Sequence, residues 1–94
     1  MTGLEKIKKE RDEQINKHGR TVALDAEHNY EKQLSWAASC LAFPEIEDWD
    51  ARHAPPPNWD LKIWQKMHDK PYEERLVIAG ALIAAELDRI SFNK

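Results

Sequence analysis

A permanent cation stands where an apolar residue is expected. Leu4, Ile7 and Ile15 mark an apolar stripe on a helix that advances about 100° per residue. Arg11 falls in the middle of that stripe, between Ile7 and Ile15; Gln14 lies at its edge and His18 extends it. A guanidinium on an apolar face must meet acceptors or reach water. Three readings are open. Arg11 pairs with an acid such as Glu86, or its stem lies on the apolar face while its head stays wet, or it grips a ligand together with Gln14. Phosphate suits the last reading, because arginine presents planar, paired donors.

Two further groups could do chemistry. Asp25 and His28 are three residues apart, as are His28 and Glu31. On a helix such pairs share a face, and carboxylate with imidazole can bind a divalent ion. An acid-rich helix start is also ordinary capping, with Asp25 as N-cap, and that reading is preferred. The other group is aromatic. Three of the four tryptophans, Trp49, Trp59 and Trp64, lie in or beside a segment containing Pro55-Pro56-Pro57. These rings either anchor a long connection onto the protein or form stacking surfaces for a nucleobase or a Pro-rich peptide.

Catalytic patterns are mostly missing. The three glycines stand at 3, 19 and 80, so no Gly-rich phosphate loop exists. No nucleophile elbow supports a Ser/His/Asp set. Cys40 sits in an apolar run and reads as a small buried hydrophobe. Helical nucleotide pyrophosphatases hold magnesium with tandem acidic motifs. Glu27/Glu31 and Glu73/Glu74 supply acids here without reproducing that pattern. No catalytic residue, metal or cofactor is therefore assigned.

The elements that position these residues are helical. Thr2-Gly3-Leu4-Glu5 has capping-box spacing and opens a first helix over 2–18, which Gly19 stops. A second helix is predicted from about Glu27 to Phe43. Tyr30, Leu34, Ala37, Ala38 and Leu41 form its apolar face, widened by Trp36, Cys40 and Phe43, and Pro44 ends it. Residues 44–58 are an irregular connection. A short helix over 61–68, capped by Asn58 or Asp60, follows with Ile63, Trp64 and Met67. The last helix, over 71–91, is capped by Asp69. Leu76, Gly80, Ile83, Leu87 and Ile90 follow helical spacing on it, flanked by Val77, Ala81 and Ala84. The fold class expected is all-α: a small bundle of three to four helices in one domain, residues 1–94, with a long Pro/Trp-containing connection.

Composition bounds the partners. The chain has 94 residues, 41% of them hydrophobic and 33% charged, with a net charge of −3. Cations alternate with acids, as in Glu5-Lys6-Ile7-Lys8-Lys9-Glu10-Arg11, so no clustered basic surface for duplex nucleic acid is expected. The longest apolar run, Leu76 to Ala85, is too short to span a bilayer. With one cysteine and a charged N-terminal stretch, the expected location is the cytoplasm. A thin core and the small residues of the second and last helices point to a homo-oligomer.

Glu10-Arg11 with Gln14-Ile15, then Glu27-His28, Leu34 through Ala37-Ala38, a Trp-bearing middle and Ala79-Gly80-Ala81-Leu82-Ile83-Ala84-Ala85-Glu86-Leu87-Asp88-Arg89 resemble a family of small helical bacteriophage and prophage proteins. The resemblance covers nearly the whole chain apart from 44–58. Family members typically carry Gly followed by an aromatic after the first helix, and an Asp pair before the His. Here Gly19-Arg20 and Ala26-Glu27 stand at those places. The resemblance implies a phage context, with action in the host cytoplasm, more firmly than a mechanism. In that context the residues are read as a non-enzymatic protein that sequesters a small anionic nucleotide and so evades host defence. Arg11, Gln14, His18, His28, Trp59 and Trp64 are its candidate ligand residues. The alternatives are a protein–protein inhibitor or adaptor of a host factor, using the aromatic middle segment, and a metal-dependent nucleotide hydrolase.

Overall fold

The computed structural model describes residues 1–17, 19, 21–29, 32–44, 55–56 and 59–92. Five helices are present: α1 (Gly3–Asn16), α2 (Val22–His28), α3 (Gln33–Ala42), α4 (Leu61–His68) and α5 (Tyr72–Phe92). No described residue lies in a strand. The protein is thus all-α, with five helices in place of the three to four expected. The extra helix, α2, lies mostly ahead of Glu27, where a connection rather than a helix was expected, and a break follows it. The helix read as continuous from Glu27 to Phe43 is interrupted where Asn29 closes α2 and Lys32 adopts a left-handed backbone (φ 67°) ahead of α3. At this junction the Asn29 side chain donates to Asp25 and accepts from Trp59.

The caps explain most of the boundaries. Thr2 and Glu5 form the capping box of α1: the Thr2 hydroxyl accepts from the Glu5 amide, and Glu5 accepts from the Thr2 amide. Gly19 has φ 66°, a backbone that costs glycine little. Thr21 caps α2, so Asp25 is not an N-cap but lies buried in mid-helix. Asp60 caps α4 by accepting from Lys62 and Ile63; Asn58 lies outside the described residues. Asp69 closes α4 at its C-terminal end, where it was expected to open the last helix.

α5 is the central element, with α3, α1 and α2 packed against it. The apolar core is built from Leu34, Ala37, Ala38, Cys40 and Leu41 of α3, Trp64 and Met67 of α4, and Ile78, Ala79, Leu82 and Ala85 of α5. The alanines let α3 and α5 approach closely. Arg75 ties the same pair. Its Nη1 donates to the Leu41 and Phe43 carbonyls, each at 3.0 Å, and its Nε to the Lys70 carbonyl at 3.2 Å. A cation thereby meets the unsatisfied carbonyls at the C-terminal end of α3.

The large and small residues of α5 face different ways. Leu76, Ile83, Leu87 and Ile90, which follow helical spacing, are exposed. The small-residue face, with Ile78, Leu82 and Arg75, is the buried one. α1 docks in an unusual way as well. Its two buried residues are Arg11 and Gln14, both polar. Its apolar contact is Ile7, which lies over Gly80 so closely that a Cβ built there would stand 2.6 Å from Ile7 Cδ1.

Candidate functional site

The candidate site is a chain of buried polar groups where α1, α2 and α5 meet. Arg11 is 7% exposed and Asp25 3%. Arg11 Nη2 lies 3.9 Å from Asp25 Oδ2 and 3.5 Å from Asp88 Oδ2. The cation therefore bridges an acid of α2 and an acid of α5. Asp25 is oriented from behind: Asn29 Nδ2 donates to its Oδ1 at 3.0 Å. Asn29 in turn accepts from Trp59 Nε1 at 2.9 Å. One polar path thus runs from the residue ahead of α4 through α2 to α1 and α5.

Burial makes these contacts matter. A charge taken out of water is costly unless opposite charge and hydrogen bonds meet it. Asp25 is buried and Asp88 half exposed, so Arg11 is met by one dry carboxylate and one wet one. Glu86, the acid anticipated for Arg11, instead makes a short, buried pair with Arg89 of the same helix. Beside Arg11, Gln14 is 4% exposed and its Oε1 meets no hydrogen-bond partner among the described residues.

The aromatic residues pack inward. Trp64 is 0% exposed, with Trp59 edge-on at 5.9 Å between ring centroids and the His68 ring at 4.2 Å. His68 Nδ1 donates to the Trp64 carbonyl at 2.9 Å, which orients that ring. Trp59 is half-buried and anchored by its indole nitrogen.

The six candidate ligand residues are therefore brought together only in part. Arg11 and Gln14 share the buried polar chain, and Trp59 joins it through Asn29. Trp64 offers no exposed ring face to a base. The His28 side chain is exposed, while its carbonyl accepts from Gln33 Nε2 at 3.3 Å. His18 lies outside the described residues, as do Tyr30, Glu31 and Trp49. Three participants were missed in the sequence: Asp88, Asn29, and Asp25 in its pairing role. The helical position of Asp25, four residues before Asn29, was the available signal for that pair.

Acids elsewhere are matched to nearby cations. Glu73 pairs with Lys6 at 2.9 Å, and the Lys6 hydrogen bond and charge hold its carboxyl below the ordinary range. Glu74 lies 3.9 Å from Lys70. No group of three or more His, Cys, Asp or Glu suited to a metal ion occurs among the described residues. Nor is any described helix long and apolar enough to cross a membrane.

Comparison with known proteins adds no homologue: no family model matches the chain, and no curated protein or solved structure matches it significantly.

Proposed function

We propose that this protein acts by binding rather than by catalysis, and that its partner is a protein: a phage-type inhibitor or adaptor directed at a host factor in the host cytoplasm. The observation that carries this reading is the amount of large apolar side chain left in solvent. Away from α5, Leu24 of α2, Trp36 of α3, and Leu61 and Ile63 of α4 are all exposed. Single exposed hydrophobes are ordinary. An exposed tryptophan is less so, and tryptophan is the residue type most enriched among interface hot spots. The phage context rests on the resemblance of the chain to small phage and prophage proteins.

A second reading, sequestration of a small anionic nucleotide, is favoured by one observation. Gln14 Oε1 is buried beside Arg11 and meets no partner among the described residues, and a ligand donor would satisfy it. It ranks second because a phosphate at Arg11 would sit against Asp25 and Asp88, and because Trp64 is enclosed. The hydrolase reading ranks last, since Glu73 and Glu74 face lysines on the surface.

Native mass spectrometry of the protein purified from bacterial cells separates these readings. The expected result is a stoichiometric protein complex that is lost in Trp36→Ser while helix content is unchanged. A retained small anionic mass that disappears in Gln14→Leu would replace the protein reading with the nucleotide one. Neither protein nor small ligand retained would remove both.

A further inference from the structure

The outer face of α5 carries an apolar stripe that no described residue covers. Leu76, Ile83, Leu87 and Ile90 are between 40% and 62% exposed. Their spacing, seven from 76 to 83 and from 83 to 90 with 87 between, is that of a coiled-coil seam. This face is separate from the one that packs on α3, where Ile78, Ala79, Leu82 and Ala85 lie. α5 is therefore apolar on this face as well as on the one that packs on α3, and α1 reaches only its edge, with Ile7 over Gly80. Tyr72, also exposed, extends the stripe by one turn toward the N-terminus.

We infer that this face pairs with the same face of a second copy, antiparallel, with Ile83 near the twofold axis. Three observations select a second copy over another partner. First, between Leu76 and Ile90 the stripe and its half-exposed flanks Val77, Gly80 and Ala84 carry no charge. The neighbouring charges are already committed, Glu86 to Arg89 and Asp88 to Arg11. Such a face has nothing with which to select a charged partner and nothing that repels itself. Second, much of the pattern is its own complement: turned about Ile83, Leu76 of one copy meets Ile90 of the other in an isologous contact, while Leu87 falls opposite the small-residue row at Ala79 and Gly80. An antiparallel pair also opposes the helix dipoles and keeps the two Glu73-Glu74 clusters at opposite ends. Third, the area is of the right order. The four stripe residues and Tyr72 leave on the order of 450 Å² exposed per protomer, so two copies bury up to about 900 Å² before the flanks are added, an area in the range of weak, reversible association. A reversible dimer results, and it is independent of which partner binds at Trp36.

Sedimentation velocity of the full chain from 5 to 200 µM tests this. The wild type should pass from monomer to dimer across that range, and Ile83→Glu should remain monomeric at every concentration with unchanged helix content. A cysteine at the axis gives a second readout: Ile83→Cys in a Cys40→Ala background should form a disulfide-linked dimer under mild oxidation. Gln65→Cys, on exposed α4, should not. A wild type monomeric at 200 µM overturns the inference. So does a dimer that Ile83→Glu leaves intact, or an Ile83→Cys protein that cross-links no faster than Gln65→Cys. A monomer that forms a one-to-one complex with a different protein, lost in Ile83→Glu, would assign the face to that protein instead.

Discussion

Replacing Gly80 by alanine sets two opposed terms against each other, and the neighbour Ile7 decides the sign. In the middle of a helix, Gly→Ala is favourable by about 0.5–1 kcal/mol through backbone entropy and propensity. At Gly80 the added Cβ would lie 2.6 Å from Ile7 Cδ1 and 2.9 Å from Ile7 Cγ1. Turning the terminal methyl relieves the first clash but not the second, so α1 must shift or Ile7 must change rotamer. Overpacking of this kind costs about 1–3 kcal/mol. Gly80→Ala in the wild type should therefore destabilise by about 0–2.5 kcal/mol, centred near 1. In an Ile7→Ala background the three nearest atoms around the new Cβ are gone. There the same change should stabilise by about 0.5–1 kcal/mol. Ile7→Ala alone should cost about 1–2 kcal/mol, since Ile7 is half-buried. Urea denaturation of the four proteins at one fixed protein concentration, followed by far-ultraviolet circular dichroism, gives the coupling energy directly. A Gly80→Ala effect of the same sign and size in both backgrounds would refute the close approach of α1 to α5 as the reason for glycine.

Arg75→Ala should destabilise by about 2–4 kcal/mol in the same assay, because the Leu41, Phe43 and Lys70 carbonyls lose a charged donor. Arg75→Lys should recover only part of this, since one ammonium does not span three acceptors. Arg11→Met should cost about 2–4 kcal/mol by leaving Asp25 buried without its cation, and Arg11→Met with Asp25→Asn should recover most of the loss in thermal melts. The acid limit should show first at the start of α1. The Glu5 and Glu73 carboxyls are held below their ordinary value of 4.5, Glu5 by its backbone and side-chain hydrogen bonds to Thr2, Glu73 by Lys6. Their contribution is present above 4.5 and is lost as pH falls through the lower folded values, so amide exchange at Glu5 and Lys6 should speed up there before the rest of the protein unfolds.

The fold class and the ends of α1, α4 and α5 were legible because they depend on local signals. The Thr2/Glu5 box, Asp60 ahead of Leu61 and the uninterrupted run after Pro71 act within one turn of the chain. The break between α2 and α3 was not legible. At that break Asn29 bonds to Trp59, 30 residues away, and no local pattern contains that contact. That Arg11 falls on the packed side of α1 was readable from spacing, although Leu4 of the same stripe is 81% exposed, and its partners were not readable. Asp25 reads as a cap until Thr21 is seen to occupy that place. Which face of α5 packs inward was left open for a related reason. Periodicity finds the row of large residues at 76, 83, 87 and 90, whereas helix packing rewards the alanine face that lets α3 come close.

The two unusual features of the protomer have a common origin in how α1 and α5 meet. α1 adds no residue to the apolar core cluster, and it is held by Ile7 over Gly80 and by Arg11 between two carboxylates. A contact of that kind hides little apolar surface, so hydrophobic burial alone would let α1 slide or rotate. The ion pairs remove that freedom, because Arg11 meets both Asp25 and Asp88 in only one register. Buried charge contributes little net stability but can specify one arrangement over its neighbours, as at polar positions in helical interfaces. Because α1 docks by charge and close approach rather than by covering apolar surface, the large residues of α5 stay in solvent. The outward stripe is the surface on which the proposed pairing with a second copy rests.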